Sequence, residues 1–402
     1  MNFTSYLSNA TKNDTEECQS VLDRMNMTNP MQLLPIFRPT AAIIDMYLTP
    51  LWYAIGFPGN LLAFLVWIQA RMRPSSGCYL AALALNDFIF LILHMCFELQ
   101  NTWEVKTLYQ PIWCEMFPIF YITAQHLSPL FVLGFTVERY ISICHPFQRE
   151  RFCNTKRALI VIASLVCISL TLNSIHGYFW TFTKGECSIR EEAMLNGHRS
   201  LWSVWSWVTE LLVFGVVPVA ILILNILVLK ELRRMSDRAD SMMRPPPPQS
   251  SQGRSQQGSA QSATTLTLLV VSFYLIFSTL PVTVCYAVYF TFPEGDKCVT
   301  DEMLAEDVTW QNHFSYWSAR VVIQEIGMSH YVLNFYIYLL TGRLFRRELR
   351  ILFMRVFCKE SIRRWIGANS LEMTELTTFN NKHLVTNGRK LDESADSIDK
   401  KP

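Results

Sequence analysis

The sequence predicts an all-α membrane protein, a bundle of seven transmembrane helices followed by a short amphipathic helix. Half of its 402 residues are hydrophobic and 17% are charged, which is too apolar for a soluble domain of this size. Seven apolar runs and a bias in the basic loops support the same conclusion. The formal net charge of +2 gives no reason to expect a nucleic-acid partner.

The polar segment 1–42 is predicted to be a glycosylated extracellular tail. It holds four sequons, which are modified only in the secretory lumen. They begin at Asn2, Asn9, Asn13 and Asn26. The segment has no basic stretch followed by an apolar run, so we expect no cleavable signal peptide and assign targeting to the first membrane helix.

Each of the seven apolar runs can cross about 30 Å of hydrocarbon as a helix. They cover 43–69, 77–99, 114–143, 157–180, 202–229, 264–291 and 313–340, so 43–341 is the predicted transmembrane domain. The loops after the first, third and fifth runs carry more basic residues than the loops on the opposite side. Because basic loops stay in the cytoplasm, the N-terminus is expected outside the plasma membrane.

Two cytoplasmic segments are predicted to be disordered, and a helix lies before the second. The loop 236–262 has four consecutive prolines and a Ser/Gln/Gly run, which cannot bury enough apolar surface to fold. The segment 342–357 has an apolar face bordered by arginines, as expected for a helix along the inner leaflet. The tail 358–402 is polar, and Cys358 is either a palmitoylation site or an unmodified thiol.

A charged pair, Glu138 and Arg139, stands near the end of the third run. At helical spacing, Tyr121, Gln125 and Ser128 lie on the same stripe as Arg139. One interpretation is a common acid and base at the end of a membrane helix. Pro129 lies inside this run, where it should remove one backbone hydrogen bond and kink the helix near Gln125.

Several motifs together resemble those of rhodopsin-like G-protein-coupled receptors. They are Gly56-Phe-Pro-Gly-Asn60, Leu83-Ala-Leu-Asn-Asp87, Glu138-Arg139-Tyr140 with His145-Pro146, Pro218, Pro281 and Asn334-Phe-Tyr-Ile-Tyr338. The last motif, with Gly342-Arg-Leu-Phe-Arg, resembles neuropeptide receptors of the FMRFamide and thyrotropin-releasing-hormone-like group. The resemblance extends over all seven predicted helices.

The resemblance implies a set of residues for activation and G-protein coupling. This set is Glu138, Arg139, Tyr140, Pro146, Pro218, Pro281, Asn334 and Tyr338. In the closed receptor Arg139 would pair with Glu138, and opening would free it for a heterotrimeric G protein. Arrestin and a receptor kinase are the expected partners of the tail, and the bilayer surrounds the bundle.

Four cysteines lie on the predicted oxidising side, at Cys18, Cys114, Cys187 and Cys298. The resemblance implies a Cys114–Cys187 disulfide. The even remainder then suggests a second bridge, Cys18–Cys298.

Burying the Asp87 carboxylate inside a membrane is unfavourable in free energy unless a proton, a cation or hydrogen bonds stabilise it. The resemblance implies a sodium ion held by oxygens of Asn60, Asp87, Ser128 and Asn334. The alternative is a protonated Asp87 hydrogen-bonded to Asn60. No other cofactor is expected.

The outer half of the bundle suggests a short basic neuropeptide as ligand, with a C-terminal amide and an arginine near that end. Tyr121 stands where amine receptors of this family carry an aspartate, and the loop before the seventh run is acidic, which would attract a cationic ligand. The other explanation of these acidic residues is that they keep the loop soluble. The predicted pocket residues are Glu98, Tyr121, Gln125, Glu210, Tyr286, Tyr289, Arg320 and Gln324.

Other functions were weighed against the peptide receptor. One is a receptor of the same class for a small metabolite, an amino acid or a lipid. A transporter should show internal repeats, and the sequence shows no such duplication. An intramembrane hydrolase needs a nucleophile and a base at depth, and the spacing of His94, His126 and His330 suggests no such pair.

Overall fold

The structure is a computed structural model that describes residues 20–25, 27, 33–69, 72, 75–103, 105–183, 185–195, 199–242 and 252–355. The four sequon asparagines, Cys18 and Cys358 lie outside the described residues.

Seven long helices form the bundle, and each overlaps one predicted run. They are α1 (Pro39–Trp67), α2 (Ser75–Asn101), α3 (Pro111–Cys144), α4 (Thr155–Asn173), α5 (Leu201–Leu211, a π-helical turn Leu212–Val216, and Val217–Met242), α6 (Gln252–Ala287) and α7 (Val308–Thr341). Helices α1 to α6 are long and apolar enough to cross a membrane. The α7 helix is more polar because it carries Arg320 and Glu325, and it packs against α1 and α6. The predicted helical membrane fold is confirmed.

Helix α3 is central, since it contacts α2, α4, α5 and α6. The stripe that the sequence predicts is buried, with Ser128, Val132 and Phe135 at most 1% exposed. A Cβ added at Gly134 would lie 2.7 Å from a ring carbon of Tyr79 on α2. The absence of a side chain there therefore lets the two helices approach closely.

A short hairpin follows α4, which the all-α prediction did not include. Strand β1 (Trp180–Thr183) pairs antiparallel with β2 (Glu186–Ile189). Gly185 in the turn has φ of 82°, a conformation that favours glycine. Cys187 of β2 is bonded to Cys114 at the start of α3, with the Cα atoms 5.7 Å apart, so the predicted disulfide is confirmed.

The segment before α1 packs on the loop that precedes α7. Backbone N–H of Val21 donates to the Lys297 carbonyl at 2.9 Å, and Val21, Leu304 and Trp310 share one apolar cluster. Cys298 in the same loop is disulfide-bonded, and the Cys18 part of that prediction lies outside the described residues.

The chain is helical over 343–355, within the predicted amphipathic segment. Its Arg343, Arg347 and Arg350 side chains are exposed. Of the predicted disordered loop, 236–242 continue α5 and 252–262 belong to α6, while 243–251 lie outside the described residues.

Candidate functional site

Three helices bring three carboxyl groups together at the end of the bundle where α1 begins. Asp45 of α1 and Glu98 of α2 share a neighbour, because Thr102 Oγ1 lies 2.5 Å from Glu98 Oε2 and 3.2 Å from Asp45 Oδ2. Glu325 of α7 is close enough to interact electrostatically with Glu98. We call Asp45, Glu98 and Glu325 the acidic cluster.

Glu325 is fixed by two donors from α1. Its Oε1 accepts from Thr49 Oγ1 at 2.7 Å and its Oε2 from Trp52 Nε1 at 2.8 Å. The sequence-based pocket included Glu98 but missed Asp45 and Glu325. Each is an acid inside an apolar run, the signal that identified Asp87, so this rule would have found both.

Tyr121 lies in an aromatic stack between α2 and α3. Its ring centroid is 5.6 Å from Phe90, 5.3 Å from Phe97 and 5.6 Å from Phe117. Both Glu98 and Glu210 act electrostatically on Tyr121. Tyr121 is therefore near both Glu98 of α2 and Glu210 of α5.

Arg320 of α7 is a cation near Glu210 of α5. Its guanidinium lies over the rings of Trp317, at 4.5 Å, and Tyr289, at 5.8 Å, an arrangement that stabilises the charge. Glu210 of α5 and Tyr286 of α6 both interact with this charge. Four predicted pocket residues thus lie together.

Gln324 and Gln125 are less clearly part of this group. The Gln324 side chain is exposed. The backbone carbonyl of Gln125 accepts from Tyr331 Oη at 3.2 Å. This is the carbonyl that Pro129 deprives of its helical donor, so a hydroxyl of α7 supplies the missing bond.

The acids before α7 have local partners. Asp307 Oδ1 accepts from Trp310 N–H at 2.8 Å and caps α7, and Asp296 Oδ1 accepts from Cys298 N–H at 3.0 Å. Glu294 lies 3.6 Å from Lys297. Part of the loop's acidity therefore has a structural role beside any attraction of a ligand.

Asp87 lies in a fully buried polar site at mid-bundle. Its Oδ2 accepts from Asn334 Nδ2 at 2.8 Å, so Asn334 presents nitrogen rather than the predicted oxygen ligand. Asn60 Nδ2 donates to the Tyr331 carbonyl at 2.7 Å and not to Asp87. Asp87 Oδ1, Ser128 Oγ and Asn60 Oδ1 have no hydrogen-bond partner among the described residues. These hard oxygen donors suit a cation such as sodium.

The charged pair of α3, Glu138 and Arg139, is hydrogen-bonded to serines of α2. Glu138 Oε1 accepts from Ser75 Oγ and Ser76 Oγ, each at 2.6 Å. Arg139 Nη2 donates to Ser76 Oγ at 2.8 Å. The predicted direct pair of Arg139 with Glu138 is not formed in this arrangement, because Ser76 bridges the two side chains.

The loop after α3 and the end of α7 complete this face. Cys153 Sγ contacts the Glu138 carbonyl at 3.6 Å, and burial raises the pKa of the Cys153 thiol. Tyr140 Oη lies 3.3 Å from His145 Nε2, and Pro146 begins a 3-10 turn. Tyr338 is fully buried beside Trp67.

Hydroxyl groups of α6 lie close to hydroxyl groups of α3 and α7 near the Glu138-Arg139 motif. Thr136 Oγ1 lies 3.3 Å from Ser272 Oγ, and Thr341 Oγ1 donates to Thr267 Oγ1 at 3.0 Å. The sequence does not distinguish these four residues, since hydroxyls in apolar helices are common.

Helix α5 is joined to α6 at the turn that Pro218 disrupts. A proline at 218 cannot donate to the carbonyl of Phe214. Thr283 Oγ1 of α6 donates to that carbonyl at 2.7 Å. A polar group freed inside the bundle is thus satisfied by the neighbouring helix.

No catalytic pair is formed among His94, His126 and His330. His94 Nδ1 lies 2.7 Å from Tyr53 Oη, His126 Nδ1 lies 3.2 Å from Asn173 Nδ2, and His330 contacts a carbonyl of its own helix. Within the described part of the chain, no group of three or more His, Cys, Asp or Glu residues could hold a metal ion.

Comparison with known proteins adds a family. The sequence pattern of the family described as 7 transmembrane receptor (rhodopsin family) matches residues 59–321. Neuromedin-U receptor 2 of Homo sapiens is 32% identical over 131 residues, 31% of this chain and 32% of that receptor. The thyrotropin-releasing hormone receptor of Gallus gallus is 27% identical over 133 residues, 31% of this chain and 34% of that receptor.

The similarity differs in extent between relatives. The matches to the neuromedin-U receptors span at most 40% of those proteins. The C-C chemokine receptor type 1 of Homo sapiens is 25% identical over 376 residues, 90% of each chain.

Proposed function

This chain belongs to the rhodopsin family of seven-transmembrane receptors, and on that premise we propose that it binds a short peptide outside the cell and activates a heterotrimeric G protein inside it. Proteins of this receptor family are not enzymes. The proposal puts the N-terminus outside the plasma membrane, which the four sequons and the basic loops support.

The observation that carries the ligand proposal is the acidic cluster beside an aromatic surface. Its three carboxyl groups come from α1, α2 and α7, so a cationic group bound there would contact three helices at once. An arginine suits such a site because its guanidinium can bind carboxylates through two parallel hydrogen bonds. A C-terminal amide would avoid placing another negative charge near these acids.

Similarity to the neuromedin-U and thyrotropin-releasing hormone receptors supports a peptide ligand. A chemokine-type protein is a second candidate, because the match to the chemokine receptor covers 90% of this chain. The packed segment around Val21 and the hairpin β1–β2 would offer a larger ligand additional surface.

Ligand binding would shift the equilibrium between a closed and an open bundle. The size of that shift is limited by the difference in the ligand's affinity for the two states. In the closed state Ser76 holds Arg139 beside Glu138, and opening would free Arg139 for the G protein. Arrestin and a receptor kinase are the proposed partners of the tail 358–402.

The test is ligand-stimulated GTP exchange with a panel of amidated basic peptides and, separately, chemokines. Glu98→Gln should weaken an arginine-containing peptide by about 10-fold or more, since hydrogen bonds to charged groups contribute about 1.5–3 kcal/mol. Glu306→Gln, which changes an exposed acid outside the cluster, should change potency little. Unchanged potency in Glu98→Gln would contradict the acidic cluster as the ligand site.

We also propose sodium as an allosteric ligand held by oxygens of Asn60, Asp87 and Ser128. It would neutralise Asp87 in the closed bundle and thereby oppose opening. Removing sodium should raise agonist affinity in the natural protein but not in Asp87→Asn. An equal salt effect in both proteins would exclude the site.

A further inference from the structure

A small cavity lies between α3, α5 and α6, on the cytoplasmic side of the bundle. Its volume is about 10 Å³, measured as the space open to the centre of a water molecule, which is close to the room that one water needs. It is lined by Phe135, Thr136, Arg139, Asn225, Val228, Leu268, Leu269 and Ser272.

Two buried hydrogen-bond donors belong to residues of this lining. Asn225 of α5 is 3% exposed, and its Nδ2 has no hydrogen-bond partner among the described residues. The same is true of Arg139 Nε, while Arg139 Nη2 is used by Ser76. A buried donor without a partner costs about 1–3 kcal/mol, so these two groups point to an acceptor between them.

Two acceptors line the same cavity. Thr136 Oγ1 donates its single hydrogen to the Val132 carbonyl at 2.7 Å, and Ser272 Oγ donates to the Leu268 carbonyl at 2.9 Å. The two oxygens lie 3.3 Å apart, and neither has a hydrogen left for the other. Each therefore retains a lone pair that can accept a hydrogen bond.

We infer that this cavity binds one structural water molecule, which accepts from Arg139 and Asn225 and donates to Thr136 and Ser272. Two donors and two acceptors match the four hydrogen bonds of water. The guanidinium disfavours a cation, and the two hydroxyl lone pairs disfavour an anion. The water joins α3, α5 and α6. A movement of α6 that carried Ser272 away would therefore remove one of the water's four hydrogen bonds.

The direction in which one substitution shifts the unfolding midpoint tells whether Asn225 binds a water or has an unpaired amide. Asn225→Leu keeps the branched shape and removes the donor. With the water bound, the substitution should lower the thermal unfolding midpoint of the purified full chain by about 1–3 °C. Without the water, leucine would relieve a buried unpaired donor and raise the midpoint, which would overturn the inference.

A double-mutant cycle tests the connection between α5 and α6 independently of signalling. Asn225→Leu and Ser272→Ala should together lower the midpoint by less than the sum of their separate effects, because either change releases the shared water. The control is Ser278→Ala, a fully buried serine of α6 whose hydroxyl bonds only carbonyls of its own helix. It should add to Asn225→Leu without coupling, and additivity in the first pair would overturn the inference.

An experimental structure that resolves ordered water gives the direct test. A single density peak within hydrogen-bond distance of Arg139 Nε, Asn225 Nδ2, Thr136 Oγ1 and Ser272 Oγ would support the site. Absence of that peak, in maps that show other buried waters, would exclude it.

Discussion

Ser76→Ala tests whether a serine of α2 restrains the arginine of the cytoplasmic motif. The substitution removes one of two donors to Glu138 and the acceptor of Arg139 Nη2. Hydrogen bonds to charged groups contribute about 1.5–3 kcal/mol. If the contact to Arg139 exists only in the closed state, its loss shifts the equilibrium toward the open state by about 10- to 100-fold.

The assay is ligand-free GTP exchange by the purified receptor with its G protein, beside the unfolding midpoint of each variant. Ser75 is a matched control, since its hydroxyl bonds the same Glu138 oxygen at 2.6 Å. Both alanine variants should lower the midpoint, and only Ser76→Ala should raise basal exchange. Ser76→Thr keeps the hydroxyl and should restore low basal activity. An equal or larger increase in Ser75→Ala would refute the role of Ser76.

Three further substitutions test packing and the proline-linked contacts by their unfolding midpoints. Thr283→Val should lower the free energy of unfolding by about 1–3 kcal/mol in the natural background. The loss should be much smaller beside Pro218→Ala, because an alanine there restores a backbone donor. Equal losses in both backgrounds would contradict the contact between Thr283 and the Phe214 carbonyl as the replacement for that donor. Gly56→Val should cost about 1–3 kcal/mol, because a Cβ there would lie 2.7 Å from Leu91 Cδ1, and an unchanged midpoint would show that α1 and α2 can separate. Cys187→Ser should cost about 2–4 kcal/mol, whereas serine at an exposed free cysteine should cost little.

The sequence predicted the seven helices because hydrophobic length is a strong signal. The resemblance to rhodopsin-like receptors implied the neighbours of Asp87, and Asn334, one of them, donates to its carboxylate. The hairpin after α4 was missed, although Gly185, between Trp180–Thr183 and Glu186–Ile189, is a residue typical of tight turns. That signal was lost because the stretch joins the end of an apolar run.

The partners of the charged motif could not be predicted from spacing alone. Glu138 and Arg139 are adjacent in sequence, but their side chains leave a helix in different directions. The residue that meets both depends on how α2 packs on α3, and Gly134 sets that distance by admitting Tyr79. A motif identifies which groups need partners, whereas tertiary packing decides which hydroxyl or charge supplies them.

Helix α6 meets α3 and α7 through neutral hydroxyls near the Glu138-Arg139 motif. The Thr267–Thr341 contact should contribute about 0.5–1.5 kcal/mol, less than a fully desolvated ion pair. Thr136 and Ser272 use their hydrogens within their own helices, so only the inferred water would join them. Hydroxyl contacts are also insensitive to salt screening. A closed state held by such small terms needs only a modest difference in ligand affinity between the two states to open. The buried water that we infer between α3, α5 and α6 would stabilise the closed state by a comparable free energy. Its loss alone should therefore produce a measurable change in basal activity.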